Sequence, residues 1–255
     1  MGSCCSKEEL EELRRTGTKL TDNKSKMASI SNINRPSKLA EKFSQLYESE
    51  WSDAFEVVKK LEKYRGESDK AIIKVLFDTV TIAYQMALEK ATSEIEKIKE
   101  EMNATGGNEN EPEEIIKQLK YRRKADRVVP DDDLKQKYQS KVGNMFPHIP
   151  CDNPEFDHWN RYRDACLNIA WLMAIQDPPV YLECGDESCK SGDNHDSSRY
   201  KEYSNPGDMV DFPVWPATYM KQGGLILQTG VAQCKSRQST SLRGQSWRSQ
   251  TKEKK

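Results

Sequence analysis

The chain has 255 residues, enough for one large or two small domains, and only 35% of them are hydrophobic against 32% charged. With its 13 glycines added, the apolar share still falls short of the roughly 45–50% typical of packed globular chains, so part of the chain is expected to lie outside any core. Forty Lys and Arg against 41 Asp and Glu leave a net charge of −1, which excludes a surface built throughout for nucleic acid, and no nucleic-acid partner is expected.

The longest apolar run, residues 165–175, is interrupted by Asn168 and falls well below the 18 or more residues of a membrane span, so the chain reads as non-transmembrane. The start lacks the apolar segment of a secretory signal, and the seven cysteines are therefore expected reduced and unpaired. What the start does carry is Met1-Gly2-Ser3-Cys4-Cys5-Ser6-Lys7, the N-myristoylation pattern, with Gly2 as acceptor and Ser6 at the required offset. A single myristoyl chain binds membrane only marginally, with K about 10⁴ M⁻¹, and Cys4 and Cys5 offer palmitoylation sites beside it. Residues 7–26 supply no polybasic substitute, because their Lys and Arg are offset by Glu8, Glu9, Glu11, Glu12 and Asp22. Residues 1–36 thus read as an acylated anchor and flexible tether.

From Ser37 the pattern becomes helical. Leu39, Phe43, Leu46, Tyr47, Trp51, Phe55, Val58 and Leu61 fall on one face, and after Gly66-Glu67-Ser68 a second stripe runs through Ile72, Ile73, Leu76, Phe77, Val80, Ala83, Tyr84 and Ala87. Two such helices predict an antiparallel hairpin. The second continues as a charged helix over residues 89–102, followed by a mobile loop at about 103–112, rich in Gly, Asn and Glu. Short helices are expected at 113–123 and at 131–142, the latter started by Asp131-Asp132-Asp133 at the positive end of the helix dipole. Residues 154–176 predict the central buried helix, with Trp159, Tyr162, Cys166, Ile169, Ala170 and Met173 at helical spacing and Asp177-Pro178-Pro179 closing it. Beyond lie a short extended run at 180–182, a polar loop at 185–205, and extended segments at 209–220 and 225–232 around Gly223-Gly224. Pro213 and Pro216 argue against a regular central strand there. The fold class is accordingly mainly α, a helical hairpin plus a central buried helix, with a small irregular β segment at the C-terminal side of the domain.

Few constellations suggest chemistry. Cys184, Cys189 and His195, with Cys166 or Cys234, have irregular spacing for zinc, and the cysteines of this loop read as free surface thiols, with no metal and no cofactor expected. His148 and His158 read as partly buried structural residues, and Asp152, Glu155 and Asp157 as first-turn carboxylates of the central helix. Glu50 and Asp53 read as the polar face of a surface helix around Trp51. Gly-rich phosphate loops, nucleophile elbows and zinc-protease motifs are absent from the sequence, and no catalytic residues are assigned. The tail, 235–255, is expected disordered. Its Lys235, Arg237, Arg243, Arg248, Lys252, Lys254 and Lys255 against the single acid Glu253 give it attraction of about 1 kcal/mol per basic residue to an anionic leaflet, and Trp247 suits the interface.

Several blocks in order carry a resemblance: Leu46-Tyr47-Glu48-Ser49-Glu50-Trp51-Ser52-Asp53-Ala54-Phe55, then Ala165-Cys166-Leu167-Asn168-Ile169-Ala170-Trp171-Leu172-Met173, Asp177-Pro178-Pro179, Val214-Trp215-Pro216-Ala217, Gly223-Gly224 and Thr229-Gly230-Val231-Ala232-Gln233. Together they resemble the C-terminal domain of the mitochondria-eating protein (Mieap) family over residues 37–234. The resemblance implies a mostly helical, non-enzymatic domain of mitochondrial quality control that binds the anionic lipid cardiolipin. Family members carry a long coiled coil before this domain, and here the acylation signal and tether stand in its place. The expectation is a cytoplasmic, membrane-associated lipid-binding adaptor at the mitochondrial outer membrane, with a protein partner that the sequence does not identify. The alternative is an acylated scaffold at the plasma membrane or Golgi, gripping a protein through a surface that includes Tyr47, Trp51 and Trp215.

Overall fold

The computed structural model describes residues 34–104, 116, 129–150, 153–184 and 189–236. Gly2, Cys4, Cys5, Asp152, Arg237, Arg243, Trp247, Arg248, Lys252, Lys254 and Lys255 lie outside those residues, as do the loop at 105–112 and all but residue 116 of the helix expected at 113–123.

Helix α1, Pro36–Glu48, starts with proline at its first position, where a missing N–H costs nothing. The single helix expected over 39–61 is two. At Ser49 (φ −115°, ψ −83°) the backbone leaves helical geometry, the Ser49 hydroxyl donates to the Gln45 carbonyl at 2.9 Å, and α2 runs over Glu50–Lys59 in a new direction. The break lets Leu39, Phe43 and Leu46 of α1 and Trp51, Phe55 and Val58 of α2 all reach one core. Helix α3, Asp69–Ala104, is continuous into its charged half. Over Asp69–Glu101 it holds an 18-residue window of mean hydropathy 1.4, long and apolar enough to cross a membrane, but 67% of that window is buried inside the fold. The expectation that no stretch approaches a membrane span is corrected for this helix by length and composition, although its burial marks it as a core helix. Helix α4, Asp132–Met145, begins as expected, with the Asp131 carboxylate accepting the Leu134 N–H at 2.8 Å.

Helix α5, Asp157–Ala174, is the central helix, entered through a 3-10 turn at Pro154–Phe156 that Asn153 caps by accepting the Glu155 N–H at 3.0 Å. It packs most extensively against α3 and also touches α1 and α2. Tyr138 on α4 and Tyr162 on α5 bury their rings completely because their hydroxyls donate to α3 carbonyls, of Thr79 at 3.2 Å and Leu76 at 2.8 Å. Tyr84 of α3 does the same toward Val180 at 3.0 Å, tying the helices to the chain that follows.

Six short strands complete the fold: β1 Tyr181–Leu182, β2 Tyr200–Glu202, β3 Met209–Trp215, β4 Thr218–Tyr219, β5 Ile226–Gln228 and β6 Gly230–Lys235. They form two sheets, ordered β1-β4-β5 and β2-β6-β3. The polar loop at 185–205 is thus not wholly a loop, since β2 within it pairs in parallel with β6. Pro213 sits in β3, an edge strand whose register shifts on both sides of it, which is where a residue without an N–H is tolerated.

Candidate functional site

Tyr47, Trp51 and Trp215 are brought together, but in the interior. Phe43 stacks on Trp215 at 4.4 Å between centroids, Tyr47 lies 5.0 Å from Trp51 and 5.3 Å from Trp215, and Trp51 stacks on Phe55 at 5.4 Å. Trp51 and Trp215 are buried, and burial pushes the half-buried Tyr47 phenol up to about 12. Reading these residues as a contact surface is therefore corrected. Helical spacing marks the face that a residue lies on, and here that face is covered by β3. Asp53 pairs with His158 Nδ1 at 3.3 Å, joining α2 to the start of α5, and both His158 and His148 are exposed rather than partly buried. Asp157 pairs with Arg161 one turn on. Cys189 is buried and Cys184 half-buried, not surface thiols, and burial raises them to about 11 and about 12. Lys235, the one described member of the basic tail, bonds Asp211 and Ser191 at 3.2 and 3.3 Å.

The most developed polar cluster lies around Glu183, directly after β1. Its side chain is 3% exposed, and its two oxygens are fully engaged. Oε1 accepts the Tyr200 hydroxyl at 2.9 Å and the Arg199 guanidinium, and Oε2 accepts the Tyr219 hydroxyl. Arg199 Nε also donates to Tyr219 at 3.2 Å. A buried carboxylate is tolerated only with such pairing. Burial pushes the phenols of Tyr200 and Tyr219 up, helped by the neighbouring carboxylate, so both are hydrogen-bond donors at neutral pH. The consequence is a guanidinium locked in orientation from behind.

Arg199 is 45% exposed, and it opens into a cleft of about 510 Å³ between Tyr181, Ser198 and the β4–β5 turn. The outer wall is the turn itself. Gly223 takes φ +67°, a conformation that glycine adopts without strain, and the chain then presents Leu225 at 80% exposure and Ile226 at 38%, with Met220 at 40% on the other limb. These are most of the exposed large apolar side chains among the described residues. Met220 also lines a second pocket, of about 240 Å³, with Asn34, Arg35 and Pro36, so the chain enters the fold beside the same apolar turn. Arg35 and Lys221 are exposed there as well. The cleft joins an oriented arginine to an apolar rim, suited to a ligand with an anionic head and an apolar body.

Periodicity and motif spacing single out none of Glu183, Arg199, Tyr219, Leu225 and Ile226. The signal available is a carboxylate inside an otherwise apolar run, Val180-Tyr181-Leu182-Glu183-Cys184, where an unpaired charge is costly.

The family model described as Mitochondria-eating protein matches residues 35–234, and the chain belongs to that family. Membership associates it with mitochondria and with mitochondrial quality control. No curated protein and no solved structure matches the chain.

Proposed function

We propose that this protein is a non-enzymatic, membrane-tethered adaptor that reads anionic phospholipid, cardiolipin in particular, on the mitochondrial surface. The carrying observation is the Arg199 cleft, where a guanidinium fixed by Glu183 and Tyr219 stands beside the exposed Leu225 and Ile226. A planar guanidinium binds phosphate through more than one N–H, and apolar side chains at the rim enter the acyl boundary of the bilayer. Cardiolipin suits this pairing because two phosphates share one small headgroup over a broad apolar body. The acylation signal at Gly2, Cys4 and Cys5 adds residence at a membrane. The basic tail residues Lys235, Arg237, Arg243, Arg248, Lys252, Lys254 and Lys255, with Trp247, strengthen attraction to any anionic leaflet without selecting the headgroup. Family membership supports a mitochondrial association. The tyrosines and the arginine of the cleft hold their protons at neutral pH, which fits holding a ligand rather than transforming it.

The test uses the full chain with Gly2→Ala, so that no acyl group contributes. Its sedimentation is compared on vesicles containing cardiolipin and on phosphatidylserine vesicles of equal negative charge. Selective sedimentation with cardiolipin is expected, and Leu225→Asp should reduce it several-fold while leaving the melting temperature unchanged, since that side chain is 80% exposed. Equal sedimentation on the two vesicles, or none on either, overturns the reading.

A further inference from the structure

Away from the cleft, the second sheet gathers a different set of groups. Glu202 ends β2, and its register partner on β6 is Ala232. Side chains alternate along a strand, so Ala232 and Cys234 share a face of the sheet, and Glu202 lies on that face as well. His195 arrives from the segment before β2, positioned by its own N–H on the Asp208 carbonyl at 3.0 Å and by the bridge between Asn194 and Met209. The result is that an imidazole nitrogen, a carboxylate oxygen and the Cys234 sulfur all lie within 4.8 Å of one another.

The surroundings of each group point the same way. His195 Nε2 lies 2.9 Å from the Tyr200 carbonyl. A carbonyl only accepts, so Nε2 is the nitrogen that donates, and Nδ1 is the nitrogen left to face a cation. Glu202 Oε1 accepts the Gly207 N–H at 3.3 Å, leaving Oε2. Cys234 is buried, and its thiol has only a long contact, 3.8 Å, to the Ala232 carbonyl. An outer hydrogen bond on the far nitrogen of a histidine and on the second oxygen of a carboxylate is the support that ligands to a metal ordinarily have. The nearby Lys235 is engaged by Asp211 and Ser191 and does not compete for the carboxylate.

We propose that His195, Glu202 and Cys234 form a divalent-metal site, with Zn²⁺ the ion that the donor set favours. One nitrogen, one oxygen and one sulfur ligand suit a borderline-soft cation better than Mg²⁺ or Ca²⁺, which take oxygen alone. Zinc bond lengths of about 2.0–2.3 Å in tetrahedral geometry set donor atoms roughly 3.3–3.7 Å apart, so the three groups close by about 1 Å on binding. Glu202, exposed and flexible, supplies that movement. Binding displaces the Cys234 thiol proton to solvent and leaves the fourth position to water. The ion joins β2, β6 and the segment bearing His195. This site is independent of the lipid reading, and either can fail without the other.

Of the zinc set weighed from spacing along the chain, Cys184, Cys189 and His195 with Cys166 or Cys234, folding gathers His195 and Cys234, and Glu202 joins them where Cys184 and Cys189 do not.

The test is titration of the reduced, metal-free full chain with Co²⁺ as a spectroscopic stand-in for zinc, together with melting in zinc and in chelator. One equivalent of cobalt showing a thiolate-to-cobalt charge-transfer band is expected, along with a melting temperature raised by zinc. Cys234→Ser should abolish the band, whereas Cys4→Ser with Cys5→Ser should retain it. Glu202→Gln should weaken the affinity by more than the roughly 10–100-fold typical of an outer-shell loss, while leaving melting in chelator unchanged. A band that survives Cys234→Ser, or zinc stabilisation that survives Glu202→Gln, overturns the proposal. Because Glu202 is exposed, its variant decides the question even if Cys234→Ser does not fold.

Discussion

At the scale of single residues, side chains at boundaries settle what periodicity leaves open. Asp131 is such a residue. Its carboxylate caps α4 and bonds Lys90 Nζ at 2.8 Å, linking that helix to α3. The Lys90 hydrogen bond, seconded by the Leu134 N–H, holds its carboxyl below the usual carboxylate value. A carboxyl whose folded value is depressed stabilises the fold fully above its unfolded value, about 3.9, and loses that contribution as pH falls through the lower, folded value. Asp131→Ala should therefore cost about 1 kcal/mol at neutral pH, measured by urea unfolding, and the gap between variant and parent should close in acid below that range. Asp131 is half exposed, so the part carried by Lys90 should shrink in high salt, while the capping part persists.

Elements meet where backbones come closest, and Gly230 marks one such place. A Cβ built there would lie 2.5 Å from the Trp215 carbonyl oxygen and 2.7 Å from the Ala217 nitrogen. These are backbone atoms, so β3 or β6 must move to accept it. Gly230→Ala is expected to destabilise the protein by about 1–3 kcal/mol and to raise amide exchange along the β6 pairings, seen by hydrogen exchange. The β4–β5 turn is the opposite case. Its apolar tip, Leu225 above all, packs on little, and substitution there should be neutral for folding and felt only in binding.

For the whole molecule, the decisive contact is the stack of Trp215 on Phe43, with Tyr47 and Trp51 around it. One core runs from α1 through α5 to Trp215 of β3, beside a smaller cluster of Cys189, Tyr200, Val210, Ala217 and Ala232 in the strand region, and Trp215 ties the strands to the helices. Trp215→Ala should cost about 3–5 kcal/mol, and in the parent protein helix loss by circular dichroism and tryptophan fluorescence should follow one transition. Two separate transitions would show that the strand region is an independent unit. The same core explains why a scaffold surface cannot be built from Tyr47, Trp51 and Trp215: two of the three side chains are spent inside.

The sequence by itself determined the helices. Local signals suffice there, because a helix bonds within its own segment: the stripe of α3, the Asp131 cap, and the central helix ended by Asp177-Pro178-Pro179 were all legible. The blocks around Trp51, residues 165–173 and Trp215 carried the family as well, and the family model agrees over residues 35–234. What only the tertiary structure decided were the places where distant segments meet. The kink at Ser49 serves the packing of α1 and α2 on α5, and no glycine or proline announces it. Strand β2 was hidden because its partner, β6, lies about thirty residues away. Glu183 with Arg199, Tyr200 and Tyr219, and His195 with Glu202 and Cys234, are assemblies completed by residues from distant strands. Strand pairing is non-local by nature, so the register that brings these groups together exists only once the chain has folded.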